Sequence, residues 1–334
     1  MEYTERYVTS GASGGDGSSG SPWTLAEALT NAVAGDRVNV QSDAGYSLGA
    51  DTVTNSGTAI NYVVFRGYDS TIGDLDNLGR NADTSLNVTG FPVITLTGSL
   101  TPAAFVIFQN LYITGALATG LIFAGGADNC FFITCKILNT LNNAGARCIL
   151  LDNFATLINC DIECSGASHS FIIEVDAMLI MIGCKIIGTS TGTMVTVVYG
   201  WILNCAFTGN PAAIALKYEQ MSVTSMLMGC TFYGVGTALQ TNNAQTRPQF
   251  LINNHITDNS KWLDNTYVGT ADHTFIEINT RTRDNTTPRT GISNGLNVGE
   301  VTTDTGGAAT DYTDAPDDLT LIAAAPGVDA GMGI

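Results

Sequence analysis

The sequence predicts an all-β fold: a right-handed parallel β-helix, a solenoid of about 24 residues per coil, with an N-terminal capping helix. Three observations predict it. Seven segments repeat one pattern, in-register apolar columns run through them, and the composition suits strands joined by tight turns. Charged residues are 13%, hydrophobic residues 45%, and there are 37 glycines, a balance that favours β-structure over helical bundles.

The N-terminus comes first. Residues 10–21 (SGASGGDGSSGS) read as a flexible loop. In 22–40, Leu25, Ala28, Leu29, Ala32 and Val33 fall at helical spacing. Ser21 is the expected cap, Pro22 suits the first turn and Gly35 the stop. A short strand, Val38 to Val40, follows. An apolar helix here would cover the open end of the solenoid, which otherwise exposes strand edges.

The repeat comes next. Its segments are FVIFQNLYITG (105–115), CFFITCKILNT (130–140), ATLINCDIECSG (155–166), LIMIGCKIIGT (179–189), GWILNCAFTGN (200–210), SMLMGCTFYGV (225–235) and QFLINNHITDN (249–259). Aligned on Asn110, Cys135, Cys160, Cys184, Cys205, Cys230 and Asn254, they lie 25, 25, 24, 21, 25 and 24 residues apart. Such a period means one coil per repeat, stacked over a continuous core. Leucine-rich repeats have this length, but their leucine and asparagine consensus is missing. A second strand per coil is visible in CILLDN (148–153), FIIEVD (171–176), TVVYG (196–200) and IALKYE (214–219). Glycines 188, 209 and 234 mark recurring corners.

Strand alternation assigns the faces. The cysteine column points inward, with Ile133, Ile158, Ile182, Leu203, Met228 and Ile252 two residues before it. Ile137, Ile162, Ile186, Phe207, Phe232 and Ile256 follow two residues after it. Lys136, Asp161 and Lys185 face out as a charge ladder spaced about 4.8 Å. Strict alternation also turns out Phe132, Leu157, Met181, Ile202, Leu227 and Leu251. That apolar stripe would mark an interface, unless a corner turns it into the core. The domain division is then 1–40 (loop, capping helix and leading strand), 41–280 (parallel β-helix) and 281–334 (irregular C-terminal arm and closing segment). The arm, rich in Thr, Asn, Asp and Gly, either docks on a neighbour or wraps loosely on the solenoid.

The pattern YVTSGASGGDGSSGSPW, then TLAEAL, AGDRVNV and GY, resembles the start of right-handed parallel β-helix proteins of the pectate-lyase-like superfamily. DLTLIAAAPGVDAG (318–331) resembles their closing motif. The resemblance covers most of the chain and speaks to fold. This fold hosts lyases, hydrolases, adhesins and viral spikes. For its lyases the resemblance implies a lysine or arginine base with calcium-binding acids, and for its hydrolases clustered aspartates.

The residues offer one acidic group. Asp152 and Asp176 each lie eight residues before a cysteine of the column, with Glu174 close by, Glu219 two coils on and Lys217 beside it. Paired carboxylates hold Ca2+ or perform acid–base chemistry; alone at strand ends they make turn hydrogen bonds. No other cofactor is expected. Gly15-Asp16-Gly17 lacks the remainder of a phosphate loop. His169, His255 and His273 stand apart, and Cys160, Cys164 and His169 are a poor zinc set because Cys160 points inward.

Net charge −17, from 30 acidic and 13 basic residues, repels nucleic acid and anionic membranes. No apolar run has the length of a membrane span. The start MEYTERYVT lacks the pattern of a secretion signal, which predicts folding in a cytoplasm with reduced thiols. These features favour a non-catalytic structural protein on a virus particle, a capsid decoration protein or spike. It would be made in the host cytoplasm and assemble as a homotrimer with other capsid or tail proteins. The alternative is an extracellular carbohydrate-active enzyme, lyase or hydrolase, or a glycan-binding adhesin of the same fold.

Overall fold

The computed structural model describes residues 2–124, 129–166, 169, 171–219, 224–241, 249–252 and 254–257, and beyond them strands as far as Leu321. His273 and most of the closing motif lie outside the described residues. The chain is an all-β parallel solenoid of about 24 residues per coil. Each full coil contributes to three parallel sheets. The first contains Thr4–Val8, Asp36–Gln41, Val63–Tyr68, Val106–Gln109, Cys130–Ile133, Ala155–Ile158, Met226–Met228 and Gln249–Ile252. The second is 10-stranded and includes Tyr112–Gly115, Lys136–Asn139, Asp161–Cys164, Lys185–Gly188 and Ala206–Thr208. The third includes Ile149–Leu151, Ile214–Tyr218 and Thr237–Thr241. Two long strands, Phe171–Ile182 and Thr193–Leu203, bend from the third sheet into the first with an irregularity between Val175 and Met178. The upstream strand of the repeat is thus the third sheet. Pairing continues past residue 280, through Arg281–Arg283, Thr287–Thr290 and Gly295–Val298.

The corner between the first and second sheets is one residue long. At that position stand Asn110, Thr134, Asn159, Gly183, Asn204 and Gly229, all with φ between 53° and 65°. A left-handed residue is tolerated by Asn and Gly and costs a β-branched Thr more. It also resets the alternation by one residue, and this corrects two readings of the sequence. Phe132, Leu157, Met181, Ile202, Leu227 and Leu251 are 0–2% exposed and belong to the core, so they form no interface stripe. The residues beside them, Ile133 to Ile252 in the same column, face outward; Ile182 is 37% exposed. The register also places Leu111, not Asn110, in the cysteine column.

The remaining inward columns stand as read. Ile137, Ile162, Ile186, Phe207, Phe232 and Ile256 are fully buried, as are Cys135, Cys160 and Cys230. The column thiols serve the corner: Cys160 Sγ donates to Phe132 O (3.3 Å), Cys184 Sγ to Leu157 O (3.4 Å) and Cys230 Sγ to Ile202 O (3.4 Å). A small apolar side chain with a weak donor suits this place. Aromatic ladders add to the stack, with Phe65, Phe108 and Phe132 at 5.5 and 5.3 Å and Phe207 and Phe232 at 4.8 Å. Each such pair contributes about 0.5–1.5 kcal/mol beyond area burial.

The helix is Leu25–Asn31, shorter than expected, and its cap is Thr24 rather than Ser21. Thr24 and Glu27 form a reciprocal capping box. Trp23 cannot join the helix because its backbone pairs with Tyr7 and Thr9. Ser21 instead closes a turn, its carbonyl accepting from Asp16 and Gly17. Leu25, Ala28 and Leu29 are buried in the same core as the first strands of the solenoid. No helix among the described residues is long and apolar enough to cross a membrane.

Residues 69–92 leave the solenoid between two strands and lie over the second sheet, with their own small core of Leu75, Leu86 and Phe91. Arg80 pins this strap to two adjacent coils. It donates to Asn159 Oδ1 (3.0 Å), Asp161 Oδ1 (2.6 Å) and Gly183 O (2.8 Å). Asp161 Oδ2 also accepts from Leu86 N at 2.6 Å. The Lys136, Asp161, Lys185 register is as expected. Its charges, however, pair elsewhere: Asp161 with Arg80, and Lys136 with Glu163 at 3.8 Å.

Candidate functional site

The third sheet holds its inward side chains, Ile149, Leu151, Ile173, Val175, Val195, Val197, Leu216 and Tyr218, within the core. Its outward column is Leu150, Glu174, Thr196 and Lys217, in register over four coils. Leu151 pairs with Val175, and Val197 with Tyr218. Asp152 and Asp176 are therefore neighbours one coil apart, and Glu219 lies two coils beyond Asp176. The four acids of the sequence reading thus share one surface at the outer edge of this sheet.

Two of them have basic partners. Arg147 Nε lies 2.7 Å from Glu174 Oε2, close but poorly aligned for a hydrogen bond, and its guanidinium stacks 5.4 Å from the Phe171 ring centroid. Lys217 Nζ donates to Glu219 Oε1 at 2.9 Å. Asp152 and Asp176 are exposed. Partial burial, then the negative charges of Asp152 and Glu219, hold the Asp176 carboxyl above the ordinary carboxylate value, with Arg147 opposing them. Exposed rings flank the acids: Phe123 is 42% exposed and aligned with Leu150, and Phe154 is 40% exposed just after Asp152.

This set offers a carboxylate pair beside cations that already have acidic partners. Paired carboxylates of this kind are side chains that general acid–base chemistry uses. The set does not form a calcium cage. Ca2+ takes six to eight oxygens, and among the described residues no three His, Cys, Asp or Glu side chains converge to hold a metal ion. Lys217, the nearest lysine, is engaged by Glu219 and is no ready base.

The other candidates lie elsewhere. His169 is buried, accepts from Ser190 N at 3.3 Å, and burial lowers its pKa. His255 is on the second sheet. Cys160 and Cys164 are both in the core, and their group with His169 holds no metal geometry. Sequence reasoning missed the strap of Arg80 and the basic–acidic pair of Arg147 and Glu174. Arg147 sits just before an apolar strand, the one sign of it in the sequence. It also missed a small cavity of about 210 Å³ outside the first sheet, where Arg37, Arg66, Asp76 and Gln109 meet Val64 and Ile107.

No protein-family model matches the chain, and no curated protein matches it in sequence. Solved structures match its fold, two polysaccharide lyases among them. A rhamnogalacturonan lyase superposes with a TM-score of 0.62 at 12% identity, covering 95% of each chain. The pectate lyase Pel9A superposes with a TM-score of 0.52 at 11% identity, covering 97% of this chain and 91% of that one. At these identities the likeness is one of architecture: the chain has the parallel β-helix fold found in these polysaccharide lyases.

Proposed function

We propose that the chain is carbohydrate-active and holds a glycan along the outer face of its third sheet, with Asp176 as the general acid and base and Asp152 as the nucleophile. The observation behind this reading is the raised pKa of Asp176 beside Asp152, between exposed Phe123 and Phe154. Rings of this kind stack on the apolar faces of sugars, and carboxylates and guanidinium groups bind their hydroxyls. The named charges on this face are Arg147 and Lys217 against Asp152, Glu174, Asp176 and Glu219, a balance that suits a neutral glycan better than a polyuronate. In-register carboxylates on adjacent parallel strands are about 4.8 Å apart, near the ~5–5.5 Å separation of retaining glycosidases. In that role Asp176 protonates the leaving oxygen and Asp152 attacks the anomeric carbon. The test is incubation with a panel of neutral and uronic polysaccharides, scoring reducing ends and unsaturated ends separately. New reducing ends without unsaturation, lost in Asp152→Asn and in Asp176→Asn, are expected. Unsaturated ends would replace hydrolysis by elimination, and no binding or cleavage of any glycan would remove the reading.

A second reading rests on the first sheet. Its outer face presents Phe131, Ile133, Ile158, Ile180, Ile182, Trp201, Leu203, Met226 and Met228 over five coils without a charge. Trp201 is 45% exposed. A contiguous apolar face marks an association surface. Copies of this chain meeting there would form the homotrimer of a decoration or spike protein on a virus particle. The mass of the particle in solution decides: an oligomer that falls to a monomer in Trp201→Lys supports it, and a wild-type monomer removes it.

A further inference from the structure

Of the eight buried cysteines three lie outside the column, and two of these, Cys148 and Cys164, stand in a different relation. Cys148 opens the third-sheet strand of one coil, its N donating to Ile172 O at 2.9 Å. Cys164 closes the second-sheet strand of the next coil, paired with Asn139 and Gly188. Their side chains enter the core across the narrow corner between these sheets, and their Sγ atoms are 3.4 Å apart. In the column, by contrast, the in-register thiols of Cys160, Cys184 and Cys230 point the same way and donate to carbonyls of the preceding coil.

We propose that Cys148 and Cys164 are a cross-linking site, joined as an inter-coil disulfide when the chain meets a small-molecule disulfide. The chemistry balances as two exchanges. The thiolate of one cysteine attacks the small disulfide, forms a mixed disulfide and expels one small thiol. The second cysteine then attacks the protein sulfur and expels the other. Two electrons pass to the small disulfide, and the two Sγ protons end on the released thiols. Both sulfurs are fully buried, and burial pushes the Cys148 thiol up, so exchange waits on a local opening of the corner. The product staples two neighbouring coils, the interface on which a solenoid depends. It also fixes the start of the strand between Arg147 and Asp152, although the site needs no glycan to exist.

The experiment uses the full chain and oxidised glutathione, with and without a urea concentration below the unfolding transition. The protein is then unfolded, alkylated and weighed, and its peptides are mapped. Expected are six alkylated thiols in place of eight, a Cys148–Cys164 linked peptide, faster reaction in urea, and a thermal midpoint several degrees higher. Cys148→Ala should keep all its remaining thiols and show no such rise; Cys164→Ala serves equally if that variant does not fold. Eight alkylated thiols after oxidation, or a bond mapped within the column, would overturn the assignment.

Discussion

The strand Phe171–Ile182 runs through both the third sheet and the first, and its two halves meet solvent with opposite chemistry. In the third-sheet half the outward residues are Glu174 and Asp176; in the first-sheet half they are Ile180 and Ile182. The inward residues do not change in kind: Val175 is 1% exposed and Met181 0%. The core asks the same thing of every strand, so the outward columns are left to differ. One outer face is acidic and ring-flanked, the other apolar. The second sheet is a third case, because the strap of residues 69–92 covers it.

The largest expected effect tests which column is inside. Leu157 and Ile158 are adjacent apolar residues that strict alternation assigns the wrong way round. Leu157→Ala should cost about 2–5 kcal/mol in chemical denaturation, whereas Ile158→Ala on the outer face should cost less than about 1 kcal/mol. The reverse order would break the register and, with it, the contrast between the two outer faces.

A middling effect is expected at Arg80. Its loss leaves Asp161, with a side chain only 5% exposed, without its cation. Breaking a buried pair costs about 3–5 kcal/mol. Arg80 is itself partly solvated, so the low end of that range is expected for Arg80→Ala. Limited proteolysis should then cut within residues 69–92 first. Cleavage there at the wild-type rate would mean that the apolar cluster of Leu75, Leu86 and Phe91 holds the strap without it.

The solenoid was legible because the cysteine column and the apolar column two residues after it repeat at a nearly constant period, and register in a stacked sheet follows from period alone. The acid cluster was legible for the same reason: Asp152 and Asp176 keep a fixed distance from that column. The apolar stripe was misassigned because alternation holds only inside a strand. Asn159, Gly183, Asn204 and Gly229 directly before the cysteines are residues that accept positive φ. They decide for the corner, the alternative that the sequence left open and that places Phe132 and Leu157 inside. The strap was not legible, since Arg80 reaches Asp161 across 81 positions and no repeat connects them.

The smallest effect on stability is expected at Asp176, and it bears most directly on what the third-sheet face does. The folded pKa of this group is raised above its ordinary 3.8, so the native state binds its proton more readily than the unfolded chain. By linkage its contribution to stability declines as pH rises through the folded value. Near neutral pH the ionised group meets Asp152 and Glu219. Asp176→Asn removes that repulsion and should raise the thermal midpoint slightly at neutral pH. The difference should vanish in acid below the ordinary carboxylate value, where the wild-type group is protonated in both states. The same substitution should abolish glycan cleavage, giving a protein that is more stable and inactive. Such a trade is expected of a group kept for chemistry rather than for folding. A less stable Asp176→Asn at neutral pH would mean that the carboxylate has a favourable partner there, a bound cation foremost. The outer face of the third sheet would then be an ion-binding surface, and its contrast with the apolar first sheet would be one of ligand rather than of reaction.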